Sequence, residues 1–303
     1  MGSIRSFMFH DIRNLDKTNY PKRYKLKSFL NELQFKYQID KIQKKYKIIS
    51  SLEIKNLDLK NDTSDYAILT FDDGLLDHYD VYKYLYSLGL SGTFLVPKMP
   101  ITENKIMNTH KIQFILASIE EKTIKNEILS YFDNKDEIWK KYSVSMWKNN
   151  WWSEEMIFIT NFLRQYKDDN IDNFKLTNDL FNKFVTEDEF NFSKNLYLDE
   201  KKIEEMSNNG MVIGGHGDIS ENLLLIEDYK KEIDESKKFS SKYSENFIFS
   251  YPNGGYNEEI KNYMSDVNCS VSFTTEQFTI TDLDEIDYLR FPRYDAPQKI
   301  DLP

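Results

Sequence analysis

The segment Tyr66-Ala67-Ile68-Leu69-Thr70-Phe71-Asp72-Asp73-Gly74 decides how the rest of the chain is read. Residues 66–71 are an apolar run broken by one threonine, which predicts a strand buried on both faces. Asp73-Gly74 predicts the loop that ends it. In an α/β barrel the loops at the carboxyl ends of the strands build the active site. Successive side chains leave a strand in different directions, so Asp72 and Asp73 can take different tasks, one binding a metal and the other acting as general base. Taken alone, the dipeptide reads more simply as an Asp-Gly turn with two solvated acids.

Outward from this segment, strands and helices alternate, which predicts an α/β architecture. Ile4 to Phe9 reads as a buried first strand. Ser28 to Tyr46 reads as a helix with Phe29, Leu30, Leu33, Tyr37, Ile39 and Ile42 on one stripe. Val81 to Leu88 is a helix closed by Gly89, and Gly92 to Val96 a strand stopped at Pro97. From about 99 to 192 the pattern turns helical and holds all four tryptophans, Trp139, Trp147, Trp151 and Trp152. This predicts a helical insertion in a single domain spanning 1–303. Its aromatic residues, Tyr142 included, read as core more readily than as sugar-stacking platforms. After Leu198 the alternation resumes. Asp199 caps a helix to Ser207 that Gly210 closes, and Met211 to Ile213 is a strand leading to Gly214-Gly215-His216-Gly217. Ile226 to Tyr243 is a helix, Phe247 to Tyr251 a strand before Pro252-Asn253-Gly254-Gly255, and 288–291 a last strand.

The chain of 303 residues carries a net charge of −10, and 30% of its residues are charged. That balance argues against a nucleic-acid partner, whose phosphates are met by Lys and Arg. No apolar run approaches the ~20 residues of a membrane span, and no leader pattern is visible, so a cytoplasmic location is expected. The single cysteine, Cys269, cannot form an internal disulfide and reads as a buried small hydrophobe.

Four histidines are present: His10, His78, His110 and His216. His10 follows the first strand, His78 lies just past the carboxylates, and His216 sits between glycines after a strand. Imidazole and carboxylate together are a normal ligand set for a zinc-like ion, although a lone strand-end histidine is more often structural. His110, at the start of a helix in the insertion, reads as a cap or surface residue.

With these residues in place, the chain resembles the polysaccharide deacetylases (the NodB-homology domain, carbohydrate esterase family 4). Ile68–Gly74 with Gly92-Thr93-Phe94-Leu95-Val96-Pro97 is similar to the family's first motif and following strand. Met211–His216 is similar to the strand into the second motif, Phe249-Ser250-Tyr251-Pro252-Asn253-Gly254-Gly255-Tyr256-Asn257 to the third, and Leu289-Arg290-Phe291-Pro292-Arg293 to a late arginine-bearing strand. The segment through Ile49 resembles members from surface-polysaccharide biosynthesis clusters. The resemblance implies a distorted (β/α)7 barrel. It also implies Asp72 as general base, Asp73 and His216 as ligands of a divalent metal, most simply zinc, and a backbone N–H near Asn253 as oxyanion donor. The function implied is metal-dependent removal of an N-acetyl group from an amino sugar, carried on a nucleotide, a lipid or an oligosaccharide.

Three departures accompany it. Ser220 stands where the family has a second histidine ligand, so Ser220 itself, His78, His110, Asp218, Glu221 or a water would complete the metal sphere. Ser250 stands where the third motif has an arginine, a charge that Arg293 or Arg290 could supply. No histidine follows His216 to act as the late general acid. These gaps sustain a second reading, a catalytically impaired barrel that binds carbohydrate or scaffolds a biosynthetic complex.

Overall fold

A computed structural model of the chain describes residues 2–18, 29–144, 152–166, 172–282 and 286–296. The chain divides into two compact units, one of Met1–Arg13, Ser28–Lys105 and Ser193–Pro303, the other of Asn14–Lys27 and Ile106–Phe192.

The first unit holds the strands β1 (Ser3–Phe9), β2 (Asp11–Ile12), β3 (Phe29–Leu30), β4 (Lys47–Ile48), β5 (Asp65–Asp72), β6 (Thr93–Val96), β7 (Val212–Gly215), β8 (Ile248–Ser250), β9 (Val271–Phe273) and β10 (Tyr294–Asp295). Seven run parallel in the order β10-β1-β5-β6-β7-β8-β9, with β4 added beside β5 and β2–β3 forming a separate pair. The free ends of this sheet approach each other. Phe273 makes a parallel bridge to Phe291, with Phe291 N donating to Ser272 O at 2.8 Å and Thr274 N to Phe291 O at 2.8 Å. The result is the expected α/β barrel-like fold. Its interior is filled by Ile4, Ile68, Leu95, Val212, Ile248, Val271, Phe273 and Phe291, all buried. Central parallel strands are covered on both faces, which is why β5 is almost wholly apolar up to Thr70 and its terminal acid.

Helices α1 (Glu32–Lys45), α2 (His78–Ser87), α3 (Lys98–Glu103), α10 (Glu200–Asn208), α11 (Tyr229–Ser240) and α12 (Glu258–Asp266) belong to this unit. A file of rings covers the outer face of the sheet: Phe9 lies 5.2 Å from Phe71, which lies 4.7 Å from Phe94, and Phe35 of α1 meets Phe9 edge-on. Gly89 (φ 68) and Gly210 (φ 84) follow α2 and α10 in the left-handed conformation, as expected. Asp199 caps α10 by accepting from Lys202 N at 2.8 Å.

Several boundaries differ from the sequence reading. Helix α1 starts at Glu32, because Asn31 forms a capping box with Gln34 and leaves Phe29-Leu30 to pair as β3. Its buried stripe is Phe35, Ile39 and Ile42, whereas Leu33 and Tyr37 are 76% and 60% exposed. The predicted last strand at 288–291 is instead a 3-10 turn, Tyr288–Arg290, opened by Asp287 accepting from Leu289 N. The true last strand is the two-residue β10. Helix α12 and strand β9 add a crossover that periodicity had not marked. Cys269 is buried, and burial pushes its thiol up to about 12.

The second unit is helical among its described residues: α4 (Asn108–Ser118), α5 (Glu121–Leu129), α6 (Lys135–Tyr142), α7 (Glu154–Gln165) and α8 (Asn173–Phe184), followed by α9 (Glu189–Lys194). Tyr142, Phe162 and Tyr166 pack ring against ring, and Trp139 covers Phe158. That is the core role expected of these aromatics. Trp147 and Trp151 lie outside the described residues. His110 corrects its sequence reading, because it is only 1% exposed and so not a surface residue. No described helix is long and apolar enough to cross a membrane.

The barrel wall is tightest at Gly214, where a Cβ would lie 2.7 Å from both Ile248 O and Leu95 Cδ2. Gly214→Ala should destabilise the fold by about 1–3 kcal/mol through overpacking, read as a lower urea midpoint. An unchanged midpoint would contradict this close packing of β6, β7 and β8.

Candidate active site

The carboxyl ends of β1, β5, β7, β8 and β10 carry His10, Asp72 and Asp73, His216, Ser250 and Asp295. At the end of β5 the chain turns through two left-handed residues, Asp73 (φ 80) and Gly74 (φ 60). A non-glycine residue rarely adopts this conformation. A Cβ at Gly74 would lie 2.9 Å from Val96 Cγ1, so glycine is required there on space as well as on φ. The turn parts the two carboxylates.

Asp72 faces Arg293, and both side chains are buried, at 2% and 1% exposure. Nη1 donates to Asp72 Oδ1 at 2.6 Å and Nη2 to Oδ2 at 2.8 Å, a two-pronged pair. The guanidinium also donates from Nε to Thr274 O at 3.0 Å and from Nη1 to Thr70 Oγ1 at 3.2 Å, and it lies over the Phe273 ring. Burial alone would push the Asp72 carboxyl up, but Arg293 and then His216 outweigh it and hold the group below its ordinary value. Arg290, the other candidate for this charge, instead pairs with Glu276 on the surface.

Asp73 Oδ1 lies 3.5 Å from His216 Nε2. On the other side of the ring, Nδ1 lies 2.6 Å from Ser250 Oγ and 3.1 Å from Ser250 O. A carbonyl oxygen only accepts, so the Nδ1 hydrogen is directed at Ser250 and Nε2 is directed at Asp73. Burial pulls the His216 pKa down, but Asp72 and Asp73 outweigh it and hold it above its ordinary value. Sequence reasoning saw Ser250 only as a missing arginine. Its contact with His216 follows from the pairing of β7 with β8, which no local pattern announces.

Two donors 3.5 Å apart suit one tetrahedral ion, since ligands at ~2.0–2.2 Å from zinc stand roughly 3.3–3.5 Å from one another. The hydrogen bond on the far nitrogen is the usual way a ligating imidazole is fixed. Among the described residues, no group of three or more His, Cys, Asp and Glu side chains converges on one such point. Asp73 and His216 are thus a pair of ligand-type side chains at a spacing one ion could bridge.

The remaining candidates are placed differently. His78 donates from Nε2 to His10 O at 2.8 Å, and its ring packs against the stacked pair Phe71 and Phe94. Ser220 (φ 59) is buried, and its N–H and that of Ile219 donate to Glu232 Oε1 at 3.1 and 2.9 Å. Burial, despite these hydrogen bonds, pushes Glu232 up to about 7. Asp218 pairs with Lys98 at 3.4 Å. Glu221 is buried. Asn253 (φ 54) lies in the 3-10 turn Pro252–Gly254 after β8. His10, which follows β1, is close enough for its charge to act on Asp72 and on Asp295, a carboxyl that burial pushes up.

No protein-family model matches the chain, and no curated protein matches it. Solved structures do. Deacetylase PplD of Streptococcus pyogenes, in complex with acetate, is 15% identical with a TM-score of 0.55, over 97% of this chain and 92% of that one. IcaB from Ammonifex degensii is 10% identical with a TM-score of 0.56, over 97% and 91%. A polysaccharide deacetylase from Bacillus cereus is 13% identical with a TM-score of 0.54, over 97% of this chain but 65% of that one, so the chain spans less than two thirds of that protein. At this identity the likeness establishes the fold: the chain has the polysaccharide deacetylase fold expected from its motifs.

The buried pair has a pH signature. A carboxyl held low in the folded state stabilises it above the unfolded value of about 3.9, and this contribution is lost as pH falls through the folded value. In Arg293→Met the buried Asp72 loses its principal counter-charge and its pKa rises. The variant should lose about 3–5 kcal/mol at neutral pH, and the deficit should shrink as pH falls toward 4. Urea melts at several pH values check this; a deficit independent of pH would contradict it.

Proposed function

We propose that the chain is a metal-dependent carbohydrate de-N-acetylase, acting on an amino sugar in bacterial surface-polysaccharide biosynthesis. The observation that carries this reading is the division of two adjacent carboxylates at one strand end. Asp72 is locked ionised by Arg293, while Asp73 stands with His216 at ligand spacing. The acetate-bound deacetylase among the similar structures supports release of an acetyl group, and the motif resemblance supports an acetamide as its source. The cytoplasmic location and the nucleotide-linked, lipid-linked or oligosaccharide form of the substrate belong to this proposal too.

Asp73 and His216 would hold the ion, with Ser220 close in sequence at the position of the family's second histidine. Asp72 accepts the proton of the attacking water. A carboxylate held below its ordinary value is a weak base, so the water must be acidified, which is the chemistry a bound zinc supplies. Arg293 fixes the direction of the Asp72 lone pairs and keeps them ionised. The resemblance's donor to the oxyanion is a backbone N–H near Asn253, a residue of the turn Pro252–Gly254 after β8. His10, at the carboxyl end of β1 and near enough for its charge to act on Asp72, is the proposed proton donor to the departing amine, a group whose absence after His216 the sequence had left open.

The lack of a third converging metal-type side chain among the described residues favours the second reading, an impaired barrel that binds carbohydrate. Asp72→Asn separates the two. It keeps the side-chain shape and the proposed metal ligands but takes the counter-charge from buried Arg293, so stability falls. In variant protein shown to be folded by circular dichroism, metal content should be unchanged and acetate release from an N-acetylamino-sugar nucleotide or oligosaccharide should fall by about 10²–10⁴-fold. Asp73→Ala and His216→Ala should both lose bound divalent metal by elemental analysis. Wild type that binds the sugar yet releases no acetate with added zinc, cobalt or nickel would establish the impaired barrel.

A further inference from the structure

The ladder that fixes β1 against β5 ends at Phe9 opposite Phe71. His10 is the first residue beyond it, so its position depends on other contacts. The first turn of α2 supplies them. His78 Nε2 donates to His10 O at 2.8 Å. Asp77 accepts from Ile12 N through Oδ2 and from Arg13 Nη2 through Oδ1, the latter at 2.8 Å. Arg13 in turn reaches Asp11 at 2.6 Å. Asp77 and His78 thus hold His10, Ile12 and Arg13 directly and Asp11 through Arg13, and they stand five residues beyond the Asp72-Asp73 pair on the same connection.

The chemistry of His78 suits a fixed clamp. Its side chain is fully buried, its ring lies 5.8 Å from both Phe71 and Phe94, and its Nδ1 has no hydrogen-bond partner among the described residues. The carbonyl of His10 can only accept, so Nε2 carries the hydrogen and the ring has one use for it. A metal ligand would need its free nitrogen to share a point with other ligand side chains, whereas the His78 ring packs against Phe71 and Phe94 and belongs to no group of three His, Cys, Asp or Glu side chains among the described residues.

We infer that His78, with Asp77, is a positioning residue that sets His10 relative to Asp72, and that it is not a metal ligand. This rests on the reading of His10 as proton donor. Holding the donor at the correct distance from the base is a geometric requirement, and a displacement of about 1 Å costs on the order of 10²-fold in rate.

The test compares His78→Phe, which keeps ring packing and removes the donor, with His78→Gln, which restores an N–H. For His78→Phe, kcat should fall by about 10–100-fold with KM and bound zinc unchanged, and the pH-rate limb belonging to the proton donor should move. His78→Gln should recover most of the rate. Because the chain has four histidines, imidazole proton NMR can follow His10 directly, assigned through His10→Gln. Its signal should shift in His78→Phe and return toward wild type in His78→Gln. Unaltered kcat, pH profile and His10 signal in His78→Phe would overturn the inference, as would loss of zinc from both variants. Should wild type release no acetate while the His10 signal still follows the two variants, the clamp stands and the deacetylase reading falls.

Discussion

The bidentate contact between Arg293 and Asp72 joins the two aspects of this protein. The partners are 221 residues apart, and their pairing links the central strand β5 to the segment that enters β10, where the two free edges of the sheet meet. Two charges removed from water are tolerated only when geometry and supporting hydrogen bonds are good. Thr70 and the Thr274 carbonyl supply that support. The same contact keeps Asp72 ionised in a place where burial would otherwise protonate it. Closure of the barrel and the ionisation of Asp72 are therefore one constraint.

From that constraint the rest of the site follows. With Asp72 committed to Arg293, the left-handed turn at Asp73 and Gly74 carries the second carboxylate toward His216. His216 is oriented from behind by Ser250, on the neighbouring strand. The position that the resemblance assigns to an arginine is thus occupied by a residue that serves the histidine, while the guanidinium arrives from residue 293.

What could be read in the sequence was whatever local periodicity encodes. The buried run before Asp72, the glycine after α2 and the cap at Asp199 each declare themselves within a few residues. The choice between Arg290 and Arg293 did not. Asp287 and Pro292 favour a turn where a strand was expected, and a two-residue strand such as β10 has no periodicity to detect. Leu33 and Tyr37 misled for a related reason, since a shift of the helix start by four residues, caused by Asn31, leaves the stripe to be carried by Phe35. The contacts of Ser250 with His216 and of His78 with the His10 carbonyl join strand ends and loops distant in sequence, visible only once β1, β5, β7 and β8 are in register.

The most direct test of metal-dependent deacetylation is acetate release by the wild-type protein after treatment with a chelator and again after stoichiometric zinc or cobalt is restored, on an N-acetylated amino-sugar nucleotide or oligosaccharide. Release should be abolished by the chelator and regained with the metal. Undiminished release from metal-free protein would contradict this mechanism, and so would absence of release from protein in which Asp73 and His216 are shown to hold the ion.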